Sequence, residues 1–220
     1  MIGIRLFIMI CWLICFIDTL PAQSESPSSA TGQAALLKKG FLIVRLPSFD
    51  KQEKYYNAII GDSLSGKKER ERAQAQLHAL TTRRDGLIRV LRHTIDSVYR
   101  FSEVRYISQR DFNSPDKDSI NQSFLTPETF KDPSLSIGDR PYMVLAYMDR
   151  TSEAGTNMLN LRLLLADGNE ANQAIQFPGV GNIINILLDN GKFDAAEKLL
   201  LKRMMKFQNR LQKQYANSVK

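Results

Sequence analysis

Few residues in this 220-residue chain carry side chains suited to catalysis or metal binding. Ser63, within Gly61-Asp62-Ser63-Leu64-Ser65, has a hydroxyl that attacks a substrate at neutral pH only if a neighbouring base removes its proton. The only histidines are His78 and His93. Both fall on a predicted long helix, where 100° per residue sets them roughly 130° and 170° from the centre of the apolar stripe. Solvent, not a buried site, is their expected environment. Two histidines this far apart, with both cysteines near the N-terminus, make no zinc spacing. The acidic run Asp111, Asn113, Asp116, Asp118 lacks a calcium loop's glycine, having Asp116 there, and ends on Gln122 where a glutamate is required. Pro178-Gly179-Val180-Gly181 precedes a helix without a phosphate-loop lysine and reads as a turn. No metal or cofactor is expected.

The Gly61 to Ser65 block resembles the nucleophile motif of the GDSL, or SGNH, hydrolases. The resemblance implies a serine esterase in which Ser63 attacks, Gly155-Thr156-Asn157 supplies an oxyanion donor through Asn157, and an Asp-x-x-His near the C-terminus activates the hydroxyl. No histidine follows Gly155, so His78 or His93 would have to serve as base. The polar segment Asp50 to Asn57 also stands where that family needs a buried strand. An interhelix turn over Gly61 to Gly66 is the simpler reading.

Charge is the stronger lead. The net charge is +7, and from Lys192 to Lys220 eight basic residues meet only Asp194 and Glu197. Ala196, Leu200, Met204, Phe207 and Leu211 mark the buried face of a helix there. Lys198, Lys202, Lys206, Arg210 and Lys213 then stay wet, as a charged outer face or as a surface for an anionic partner such as phospholipid or an acidic envelope polymer. Nucleic acid is not expected, because no recognised binding motif accompanies the charge.

Arg5 followed by the twelve apolar residues Leu6 to Ile17 reads as a secretory signal, too short to span a bilayer, with cleavage expected near Ala22. Neither Cys11 nor Cys15 follows the small residue that lipidation requires. Cleavage removes both cysteines and the only tryptophan, Trp12, so about 200 residues must fold without disulfides, by an ordinary core. Residues 1–22 are thus assigned to the signal, 23–33 to a Ser- and Pro-rich linker, and 34–215 to one domain. The expected location is periplasmic or extracellular, with no transmembrane anchor after cleavage.

These groups need a scaffold. Gly40 to Leu46, closed by Pro47, suits a strand buried on both faces. Lys51 to Ile60 is a predicted helix with Asp50 and Glu53 as a capping box. Lys67 to Arg100 is a long helix whose apolar stripe (Leu77, Leu80, Leu87, Leu91, Ile95, Val98) breaks beside Arg84 and Gly86, where a kink is expected. Glu103 to Ser108 is a second strand, reached by a parallel crossover. Residues 109–140 are a long irregular excursion, a candidate binding surface. Pro141 to Met148 and Met158 to Ala166, joined by Asp149 to Asn157, form an antiparallel hairpin. Helices over 182–215 turn at Asn190-Gly191, the second capped by Asp194 and Glu197.

The predicted fold is mixed α/β, with a four- to five-stranded mixed sheet in the order β-α-α-β-long loop-β-β-α-α. That order resembles the thioredoxin-like topology, with Arg140-Pro141 where such folds carry a cis-proline, but without the Cys-x-x-Cys that supplies redox chemistry. Phe41 to Pro47 and Pro141 to Asp149 are also similar to segments of an uncharacterised group of exported bacterial α/β proteins. The expected function is a non-enzymatic binding or scaffolding domain of the cell envelope, partnered by an anionic envelope component or a protein. The alternative is a divergent GDSL-type esterase.

Overall fold

A computed structural model describes residues 28–112, 120–126, 130–151, 157–179 and 183–219. The signal segment, linker residues 23–27, and Asn113, Asp116 and Asp118 lie outside the described residues. In chain order the elements are α1 (Ala30–Lys39), β1 (Phe41–Leu46), α2 (Asp50–Gly61), α3 (Lys67–Val98), β2 (Glu103–Ser108), β3 (Phe124–Leu125), β4 (Tyr142–Thr151), β5 (Asn157–Leu165), α4 (Ile183–Asp189) and α5 (Phe193–Ser218). The sheet is five-stranded and mixed, in the order β3-β2-β1-β4-β5.

Strand β1 is central because its side chains, Arg45 apart, are apolar on both faces. It pairs in parallel with β2 and with β4, while β4–β5 and β2–β3 are antiparallel. Leu42, Val44 and Leu46 face one core with Met143, Leu145 and Tyr147 of β4, together with apolar residues of α1, α3, α4 and α5. Phe41 and Ile43 face the other way, onto a smaller core with Val144, Ala146, Ile107, Ile120, Phe124 and Ile137. The helices that enter the core thus share one face, and the described parts of the 109–140 excursion cover the other. That segment supplies packing: Ile120, Phe124 and Ile137 are buried. Strand β3 comes from this excursion and is too short to announce itself in the sequence.

Several expectations need correction. Helix α1 starts at Ala30, within the span read as linker: Ser29 caps it by accepting from Gly32 N–H, and Gln33 and Ala34 are buried. The long helix α3 is one uninterrupted element; at Gly86 an added Cβ would lie 2.0 Å from Phe193 Cε1, so the glycine admits the α5 ring. Arg84 breaks the stripe because it pairs with Glu53 of α2. Asp50 pairs with Arg110 instead of capping, the cap position being Phe49, and Lys192 precedes α5 without a side-chain cap. The hairpin pairing extends to Thr151 opposite Asn157, shortening the expected connection.

The strand order keeps β1 between β2 and β4, as in the thioredoxin-like arrangement. The parallel β1–β4 pair and the single helical face depart from it, however, and among the described residues no peptide bond is cis, so Arg140-Pro141 is trans.

Candidate functional site

The Gly61 to Gly66 segment is a surface turn at the tip of the α2–α3 helical hairpin. Asp62 organises it: its carboxylate accepts from Leu64 N–H at 3.0 Å and from the Ser65 hydroxyl at 3.1 Å. Ser63 is exposed and Leu64 is 92% exposed. His78 lies eleven residues into α3, about 16 Å along the helix axis from Lys67, and His93 lies about 39 Å along it. His93 instead pairs with Glu197 of α5, Nδ1 to Oε1 at 2.7 Å. Asn157 opens β5 opposite Thr151, with its side chain outside the described residues. The structure does not bring Ser63 to either imidazole.

The α5 face is arranged as its spacing predicts. Ala196, Leu200, Met204, Phe207 and Leu211 are fully buried, with Phe207 stacked on Tyr99 (6.2 Å) and tilted against Phe177 (5.4 Å). Lys198, Lys202, Lys206 and Lys213 are exposed, and among the described residues none of them makes an ion pair. Arg210 is less free, since its Nη1 donates to the Gln176 carbonyl at 3.1 Å. Met205 stands among the lysines, 54% exposed. No described helix is long and apolar enough to cross a membrane.

Two clefts open beside the carboxyl ends of the parallel strands. The one beside β1 and β2, about 560 Å3, is lined by Arg84, Arg110 and Lys131. Of its cations, Arg84 pairs with Glu53 and Asp85, Arg110 with Asp50 (2.9 Å) and Lys131 with Asp111 (2.8 Å), while Arg89, also in the wall, has its guanidinium 5.0 Å from the Phe193 ring. The Arg110 guanidinium beside Asp50 holds that carboxyl below its ordinary range, and Arg140 does the same to Glu103.

The other cleft, about 660 Å3, lies beside β1 and β4, with α2, α3 and α4 around it. Phe49 and Tyr147 meet there edge to face at 5.9 Å, and the Arg83 guanidinium sits 5.9 Å from the Phe49 ring. Phe49 is the only described non-glycine residue with positive φ (55°), and its ring is 8% exposed. Arg83 faces Asp189 of α4 at 3.3 Å. His78 is on the rim of this cleft. Sequence reasoning missed the site because its walls come from residues scattered between 49 and 191, and because Asp50 reads as a helix cap, hiding the left-handed turn at Phe49.

Comparison with family models, with curated proteins and with solved structures finds no match to this chain.

Proposed function

We propose that the chain is an exported, non-enzymatic binding domain that docks through the lysine face of α5 onto the anionic phospholipid of the cell envelope. The observation that carries this reading is the run of four exposed lysines without ion-pair partners among the described residues, on a helix whose opposite face is buried. Lys198 to Lys213 spans about 22 Å of helix axis, a length that lets several headgroups be met at once. Each lysine near an anionic surface contributes about 1 kcal/mol, and the sum falls as salt rises because exposed charges are screened within about 8 to 10 Å. Met205 favours lipid over a hydrated polymer, since an apolar side chain among cations enters the headgroup boundary.

The test is cosedimentation with phosphatidylglycerol vesicles across a salt series, with phosphatidylcholine as control. Binding is expected to drop steeply with salt and to weaken at least tenfold when Lys198, Lys202, Lys206 and Lys213 are all changed to Gln. Salt-insensitive binding, or retained binding by that variant, would overturn the reading. A serine-reactive fluorophosphonate is expected to leave the protein unlabelled; labelling at Ser63 would revive the esterase.

A further inference from the structure

We propose that the cleft at the carboxyl ends of β1 and β4 is a small-molecule site that takes a carboxylate bearing an aromatic or similarly flat apolar body. None of its lining residues belongs to α5, so this inference stands apart from membrane docking. Topology gives the first reason. From β1 the chain leaves through α2 and α3 to β2 on one side, whereas β4 on the other side continues to β5. Adjacent parallel strands whose connections diverge leave a crevice at their carboxyl ends, the usual ligand position in α/β sheets.

The second reason is the backbone at Phe49, with φ 55° and ψ 25°. A side chain with a Cβ pays for that left-handed conformation, which glycine adopts freely. A phenylalanine is kept there by its surroundings, and the turn aims its ring into the cleft wall against Tyr147. Strain of this kind gathers at ligand sites.

Arg83 is the third. Its side chain is only 18% exposed, yet among the described residues its guanidinium makes no hydrogen bond, and its Nε is buried without one. The single ionic neighbour among the described residues, Asp189, approaches Nε and is itself 52% exposed. A guanidinium carries five N–H donors in a fork that fits a carboxylate two-fold, so a cation this enclosed, whose Nη donors have no partner among the described residues, is poised for an anionic group. Phe49, Tyr56 and Tyr147, with Leu80 and Leu188, offer the flat apolar walls for the rest of the ligand.

The experiment is saturation-transfer NMR on the purified protein with 3-phenylpropionate and indole-3-acetate, against 3-phenylpropionamide and phenethylamine. Saturable binding of the carboxylates is expected, at least fivefold tighter than the amide or amine, with a shift of the His78 ring resonance. Ala79→Trp fills the cleft from an exposed lining position and should abolish binding without unfolding the chain. Arg83→Lys should weaken carboxylates at least fivefold while leaving the amide unchanged. No saturable binding at millimolar carboxylate, equal binding of the amide, preference for the amine, or full binding by Ala79→Trp would each overturn the proposal.

Discussion

Two glycines show how one substitution takes opposite signs at different sites. An added Cβ at Gly40 would lie 1.9 Å from the Pro141 carbonyl oxygen, which also accepts the Phe41 N–H at 3.0 Å. Relief would require β1 and the start of β4 to part where their pairing begins. Gly40→Ala should therefore cost about 1–3 kcal/mol, as overpacking does, read as a lower urea midpoint at unchanged slope. Gly61, at the end of α2, has nothing within 4 Å of the same position. Gly61→Ala is expected to be neutral or to stabilise by a few tenths to about 1 kcal/mol, since the unfolded chain loses freedom and no contact is forced. Equal destabilisation at both positions would mean that the close approach at Gly40 is not what governs its substitution.

Ion pairs tie elements together. Asp50 to Arg110 joins the first turn of α2 to the loop after β2, and Glu103 to Arg140 joins the start of β2 to the residue before Pro141. Both carboxyls are depressed, first by the side-chain hydrogen bond from arginine. A carboxyl depressed in the folded state stabilises fully above its unfolded pKa, near 4 for Asp and Glu, and loses that contribution as pH falls through the folded value. The pairs are largely exposed, so each effect is small. Comparing urea midpoints at pH 7 and pH 3, Arg110→Ala should narrow the difference seen in wild type. A difference as wide as in wild type would remove Asp50 from the acid limb. At the other extreme, burial of Tyr99 and Tyr106 raises both phenols far above their ordinary value. Their protonated forms favour the folded state, and that contribution declines as pH rises past about 10, where unfolded tyrosines ionise.

At the scale of the whole molecule, the proposed export has a direct measurement. Protein recovered from the exported fraction is expected to lack residues through about Ala22, as intact mass would read, and to fluoresce from tyrosine without tryptophan, since Trp12 is the only one. A mass that retains Trp12 would make the first segment an anchor.

Much of the architecture was legible because local chemistry repeats along it. Continuous apolar character placed β1, alternation placed β2, and the 3.6-residue period of Leu200, Met204, Phe207 and Leu211 placed α5 with its lysines outward. Net charge and its C-terminal concentration needed no structure at all. Tertiary structure alone decided which way the excursion packs, since Ile120, Phe124 and Ile137 are too widely spaced to signal one face until the sheet collects them. It decided that β4 lies parallel to β1, a matter of pairing between distant segments. It also decided the cleft, because Phe49, Arg83 and Tyr147 are distant in the chain and meet only when helix and strand ends converge. Residue type and period act locally and survive in a linear string; pairing direction, a strained turn and an enclosed guanidinium arise from long-range contact and exist only once the chain has closed on itself.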